Sequence, residues 1–128
     1  MKHTAPLVGL ILGVFIMVSG CDYGKPGGEA PKAGDSVLMA PASSTGRMDN
    51  DEGVGHYKQG HWDVAEGHFR KAIKADPNLA EARYNLGLTL DKMGKHDEAT
   101  ASFKKAAELA PTNPAIKDSE ILKKHTGM

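Results

Sequence analysis

The side chains able to do chemistry in this chain are one thiol, six imidazoles and a short acid-rich run. The thiol is Cys21, the imidazoles are His3, His56, His61, His68, His96 and His125, and the acidic run is Asp49-Asn50-Asp51-Glu52. One cysteine can neither close an internal disulfide nor supply a four-thiolate zinc centre. No two histidines stand at the His-Glu-x-x-His spacing that puts two imidazoles on one helix face, and none has a cysteine partner. His56, His61 and His68 fall on two helices of one hairpin and are expected as surface or interhelical side chains. The acidic run precedes or begins a helix, where carboxylates cap the first turn and face water. There is no glycine-rich phosphate loop and no nucleophile elbow. We therefore expect no catalytic residue, no metal centre, no cofactor and no enzyme activity.

The elements that carry these residues are unevenly laid out. The 128 residues hold 16 Lys+Arg against 16 Asp+Glu, so net charge offers no reason to bind nucleic acid. Met1-Lys2-His3-Thr4 leads into an uncharged apolar run from Ala5 to Val18, and small residues follow. A basic start, a short apolar stretch and small residues are the three regions of a secretory signal, expected over residues 1–20. The run falls short of the roughly 20 apolar residues that span a bilayer. Val18-Ser19-Gly20-Cys21 resembles the bacterial lipoprotein box. That resemblance implies diacylglycerol on Cys21, cleavage before it and a further acyl chain on the new amino terminus. Two or three chains hold a bilayer firmly, whereas one holds only marginally. Asp22 after the cysteine resembles the signal that retains lipoproteins on the periplasmic face of the inner membrane. A lipid-anchored protein of the bacterial cell envelope is the expected setting.

Cys21 and a flexible spacer account for residues 21–45. Between residues 22 and 46 there are five Gly and three Pro, with no alternation and no helical stripe. As a flexible coil, such a segment has a root-mean-square span of roughly 25–30 Å. Its apolar patch, Val37-Leu38-Met39, is able to touch the folded part, though nothing in the sequence requires it.

The remainder is periodic. Residues 46–79 align with 80–113 at an offset of 34, with Gly53/Gly87, Lys58/Lys92, Gly60/Gly94, Asp63/Asp97, Ala65/Ala99, Phe69/Phe103, Lys71/Lys105, Ala72/Ala106 and Pro77/Pro111 identical. A period of this length points to stacked helix pairs. In each unit a first helix ends at Gly60 or Gly94, residues suited to a left-handed cap. The second helix then carries Ala65, Phe69 and Ala72, or Ala99, Phe103 and Ala106, on one face. Asp63 and Asp97 suit its first turn, Pro77 and Pro111 stop it, and Asn78 and Asn113 are available as caps.

These residues resemble the tetratricopeptide repeat. The second unit is nearly complete in Leu86-Gly87, Gly94, Ala99, Phe103, Ala106 and Pro111, with Arg83 and Leu90 as departures. The first keeps Gly53, Gly60, Ala65, Phe69, Ala72 and Pro77 but departs at Asp49, Glu52 and His56, so its first helix is expected to be polar and frayed. Residues 114–128 resemble the capping helix of such arrays, with Ala115, Ile116, Ile121 and Leu122 as its apolar stripe. The expected fold is all-α: a two-repeat helical-hairpin solenoid with a C-terminal capping helix. Two repeats are fewer than the three that usually stand alone, so self-association as a homo-oligomer, or a partner, is expected. Trp62, at the start of the first unit's second helix, is expected to be partly exposed, or packed on the spacer or on its own hairpin.

The resemblance implies a concave groove for a protein or peptide partner, lined by Arg47, Asn50, Val54, Tyr57 and Lys58 from the first unit. Glu81, Tyr84, Leu88, Asp91 and Lys92 line it from the second. The clamp by which some relatives grip a C-terminal carboxylate is not expected: Asn85 matches it, but Asn50 and Val54 do not, and a third repeat is missing. The implied function is a membrane-tethered protein-interaction adaptor supporting an envelope complex, with a permanent structural subunit as the alternative.

Overall fold

Six helices follow one another in the computed structural model, which describes residues 36–128. They are α1 (Arg47–Lys58), α2 (Trp62–Ala75), α3 (Ala80–Lys92), α4 (His96–Leu109), α5 (Pro114–Lys117) and α6 (Glu120–Thr126). The expected signal, Cys21 and the start of the spacer lie outside the described residues. No helix among the described residues is long and apolar enough to cross a membrane.

The two hairpins, α1–α2 and α3–α4, turn in the same way. Gly60 and Gly94 take φ of +78° and +75°, the left-handed region that a side chain disfavours. One residue further on, the His61 N–H donates to the His56 carbonyl (3.0 Å) and the Lys95 N–H to the Leu90 carbonyl (2.8 Å). The last carbonyls of each first helix are thereby satisfied inside the turn. Asp63, and Asp97 with Glu98, sit in the first turns of α2 and α4.

Between the helices of each hairpin lies one phenylalanine. Phe69 and Phe103 are fully buried, with Ala65, Ala72, Ala99 and Ala106 beside them. Each ring lies against a glycine on the facing helix. A Cβ on Gly53 would stand 2.7 Å from Phe69 Cε1, and one on Gly87 would stand 2.7 Å from Phe103 Cε1. The second hairpin stacks on the first through α2 and α3, and Ala82 and Leu79 pack on Ala72 at that seam.

Three expectations are corrected. The first helix is not frayed: α1 runs unbroken for 12 residues and buries Asn50, Gly53, Val54 and Tyr57. Its polar residues lie on the outward face, while these four meet the rest of the fold. The cap is two helices, not one. The chain breaks at Asp118–Ser119, where Ser119 Oγ accepts from the Leu122 N–H (3.3 Å) and from the Tyr84 hydroxyl (2.8 Å). Ile116 and Leu122 are buried, but Ala115 is exposed because it falls on the outer side of the short α5. Asn113 does cap α5 through the Ala115 N–H (3.0 Å), whereas the Asn78 N–H donates to Asp76 Oδ1 (3.1 Å) and α3 starts from Leu79 instead.

On the outer face, Glu66 of α2 joins the hairpins. It accepts from Lys95 Nζ (2.9 Å) and from Arg70 (2.8 Å), and Arg70 reaches on to Glu98 of α4 (3.1 Å). Burial opposes ionisation of Glu66, but the hydrogen bonds from Lys95 and Arg70 outweigh it and hold the carboxyl below its ordinary 4.5.

Gly87→Ala forces a methyl into the Phe103 ring and lowers stability by about 1–3 kcal/mol, read from urea denaturation. Gly67→Ala meets open space inside α2 and raises stability by about 0.5–1 kcal/mol. Glu66→Gln lowers stability at pH 7 by roughly 0.5–1 kcal/mol. A depressed carboxyl stabilises the fold above its unfolded pKa, and the effect fades as pH falls through the folded value. The gap between Glu66→Gln and the parent therefore closes below pH 4.5.

Candidate functional site

Asn50 of α1 and Asn85 of α3 are both fully buried, side by side on the face that the two first helices share. Asn85 Nδ2 donates to Asn50 Oδ1 (2.9 Å). The pair closes on one residue from outside the repeats. The Leu38 N–H donates to Asn85 Oδ1 (2.7 Å), and the Leu38 carbonyl accepts from Asn85 Nδ2 (2.7 Å) and Asn50 Nδ2 (3.0 Å). The second Asn50 amide hydrogen goes to Asp51 Oδ1 (3.2 Å). Every polar atom of both carboxamides is thus used, which is what makes their burial tolerable. Next along, the Ala40 N–H donates to Asp51 Oδ1 (3.2 Å).

Apolar contacts complete the docking. Val37 and Leu38 pack against the main core, Ala40 packs on Ala72, Leu79 and Ala82, and Met39 points outward at 58% exposure. The chain then turns at Pro41–Ser44, where the Ser44 hydroxyl donates to Asp76 Oδ2 (2.6 Å). Residues 36–45, expected as the end of a flexible spacer, are therefore part of the fold. The amide pair and the apolar patch together outweigh the entropy of ordering a short segment.

The groove is more closed than the resemblance implied. Of the ten expected lining residues, Arg47, Lys58 and Lys92 are exposed, and Glu81 and Asp91 are half-buried. Asn50, Val54, Tyr57, Tyr84 and Leu88 are buried. Tyr57 meets Trp62 edge-on with ring centres 4.8 Å apart, which places the half-buried Trp62 on its own hairpin. Tyr84 tilts onto Phe103 at 5.7 Å. These tyrosines are core residues, and truncating either tests stability rather than binding. Residues 36–40 cover the asparagines, and the α5–α6 break covers the Tyr84 hydroxyl. The exposed members of this set are basic, Arg47, Lys58 and Lys92, with Arg47 paired to Asp51 Oδ2 (3.4 Å).

Among the described residues, two groups of side chains have ligand atoms within 4.8 Å of one another, close enough to share a metal ion: Asp91, His96 and His125, and Asp49, Glu52 and His68. In the second, His68 Nδ1 stands 3.5 Å from Asp49 Oδ1 and 3.3 Å from Glu52 Oε2, buried and making no hydrogen bond among the described residues. His56 stacks on His68 at 5.3 Å, and its Nδ1 lies 3.5 Å from His61 Nδ1, so the three histidines do gather on one hairpin. Sequence reading allowed Val37-Leu38-Met39 a contact with the fold but not the bonds of Leu38 to the asparagines, and it missed Ser119 and the Asp91 group. For Ser119 a signal was present, a serine directly before Glu120-Ile121-Leu122.

Comparison with known proteins agrees with this architecture. The pattern of the tetratricopeptide repeat matches residues 50–114. Protein bimA of Emericella nidulans is 35% identical over 77 residues, covering 55% of this chain and 10% of that protein. Anaphase-promoting complex subunit 3 of Schizosaccharomyces pombe is 32% identical over 65 residues, covering 51% and 10%. Protein O-mannosyl-transferase Tmtc2 of Drosophila melanogaster is 38% identical over 56 residues, covering 43% and 6%. The chain thus spans about a tenth or less of the length of these curated relatives.

Asn85→Ala removes its own two bonds to Leu38 and leaves Asn50 Oδ1 without its donor. We expect a loss of about 1–3 kcal/mol and faster hydrogen exchange at the Leu38 amide, with α3 and α4 still protected.

Proposed function

Because the chain belongs to the tetratricopeptide repeat family, we propose that it is a non-catalytic adaptor that binds another protein in the bacterial cell envelope, held to the membrane by lipid on Cys21. The observation that carries the binding reading is the grip of Asn50 and Asn85 on Leu38. Both polar groups of one peptide unit's residue are bound, and its neighbours are held by shallow apolar contacts. A face that seats its own chain through the backbone is suited to seating a partner's segment in the same manner. The exposed basic residues Arg47, Lys58 and Lys92 favour a partner segment with acidic residues beside its docked stretch. A relative whose name makes it a subunit of a complex supports the same class of role.

The tethering reading rests on Val18-Ser19-Gly20-Cys21 and the apolar run before it. In this reading Asp22 keeps the protein on the periplasmic face of the inner membrane. Residues 22–35 separate the lipid from the docked segment, and the adaptor works close to the membrane surface.

Two measurements test these parts separately. Cys21→Ser shifts the protein from the membrane fraction to the soluble fraction or leaves an unprocessed precursor. Unchanged lipid labelling in that variant would overturn the anchor. A photo-crosslinking residue at Lys58 or Lys92 captures a specific protein in native membranes, several-fold above the same probe at Lys71 or Lys105. Capture only from Lys71 and Lys105 moves the partner to the outer helices, and capture of a second copy of this chain alone makes it a homo-oligomeric subunit.

A further inference from the structure

Half-buried Asp91 follows the buried run of residues 84–90 on α3, His96 opens α4, and His125 lies on α6. The left-handed turn at Gly94 brings the first two together, and the packing of α6 on α4 brings in the third. Asp91 Oδ1 stands 3.0 Å from His96 Nδ1 and 2.9 Å from His125 Nε2. His125 is held in place on its other sides by Phe103, at 5.2 Å between ring centres, and by Thr100.

Thr100 Oγ1 lies 2.9 Å from the His96 carbonyl, to which its hydroxyl can donate, and 3.0 Å from His125 Nδ1. With the Thr100 hydrogen on that carbonyl, His125 Nδ1 donates to Oγ1 and Nε2 turns its lone pair toward Asp91 Oδ1, 2.9 Å away, an arrangement that a cation between the two satisfies. His96 Nδ1 converging on the same carboxylate oxygen makes the set a three-ligand cradle.

We propose that Asp91, His96 and His125 bind a divalent late transition-metal ion of the Zn²⁺ class, which fastens helix α6 to the second hairpin. Two imidazole nitrogens and one carboxylate oxygen form a borderline-soft donor set that suits Zn²⁺ rather than Ca²⁺ or Mg²⁺. Donors around a tetrahedral zinc stand about 3.3 Å apart, so the two distances from Asp91 Oδ1 open by only a few tenths of an ångström. The Thr100 contact is the outer hydrogen bond that a metal-bound histidine makes through its other nitrogen. The His96 side chain is 66% exposed, against 21% for Asp91 and 10% for His125. The ion thus enters from the His96 side, where a water completes its shell.

The test is Zn²⁺ titration of the full chain carrying Cys21→Ser, so that no thiol competes, read by calorimetry and thermal unfolding. We expect one ion per chain with Kd below about 10 μM, and Tm raised by about 10 °C at hundredfold excess over Kd. His96→Ala, at an exposed position, leaves the metal-free Tm within about 1 °C and weakens binding at least tenfold. Thr100→Val weakens it about tenfold through the outer contact. His68→Gln, which removes the other histidine group, leaves affinity unchanged. Loss of binding in His68→Gln but not in His96→Ala would overturn the assignment. Absence of one-to-one binding below millimolar Zn²⁺ would overturn the site and leave the cluster a hydrogen-bonded contact between α3, α4 and α6.

Discussion

The contact on which the structure depends is a phenylalanine ring seated where a glycine has no side chain. Phe69 on Gly53 and Phe103 on Gly87 fix how closely the two helices of each hairpin approach. Both rings are fully buried, so neither contact can slide without opening the core. Equal spacing in both hairpins makes them stack in register through α2 and α3. That register places Asn50 and Asn85 within hydrogen-bonding distance on one face. Everything proposed for that face follows from the separation set by the two rings.

A two-hairpin solenoid has two open ends and one open groove, and this chain closes much of each itself. The α5–α6 pair covers the second hairpin with Ile116 and Leu122 and completes the Tyr84 hydroxyl through Ser119. Residues 36–45 cover the first hairpin and the groove, with Leu38 as the polar anchor and Ser44 tied to Asp76. These segments supply the burial that a third repeat would otherwise provide. They also leave Arg47, Lys58 and Lys92 as the exposed residues of the expected groove, with the tyrosines buried.

The degree to which this was legible differs by residue. Gly60, Gly94, Pro77 and Pro111 act through local backbone geometry, so their spacing alone locates the turns and helix ends. Phe69 and Phe103 were legible because helical periodicity puts them on the alanine face. Asn50, Tyr57 and Tyr84 were misread as open groove, because the same helical face is open or covered depending on what lies across it. The docking of Leu38 on Asn85 spans 47 residues, and no local pattern encodes such a contact. The unbroken α1 was misread for a related reason. Its polar residues argue for fraying in isolation, yet its buried side supplies Asn50 to a shared network and Gly53 to a ring.

The sequence by itself determined the repeat length, the turns and stops of the two hairpins, the internal core and the all-α solenoid. Each of these follows from periodicity and cap chemistry within a few turns of chain. Only the tertiary structure decided that the segment before the repeats is docked and that the expected groove is half-filled from within. It alone decided that Asp91, His96 and His125 meet. The physical reason is that these contacts join residues from separate elements, through single hydrogen bonds whose partners are set by packing and not by spacing.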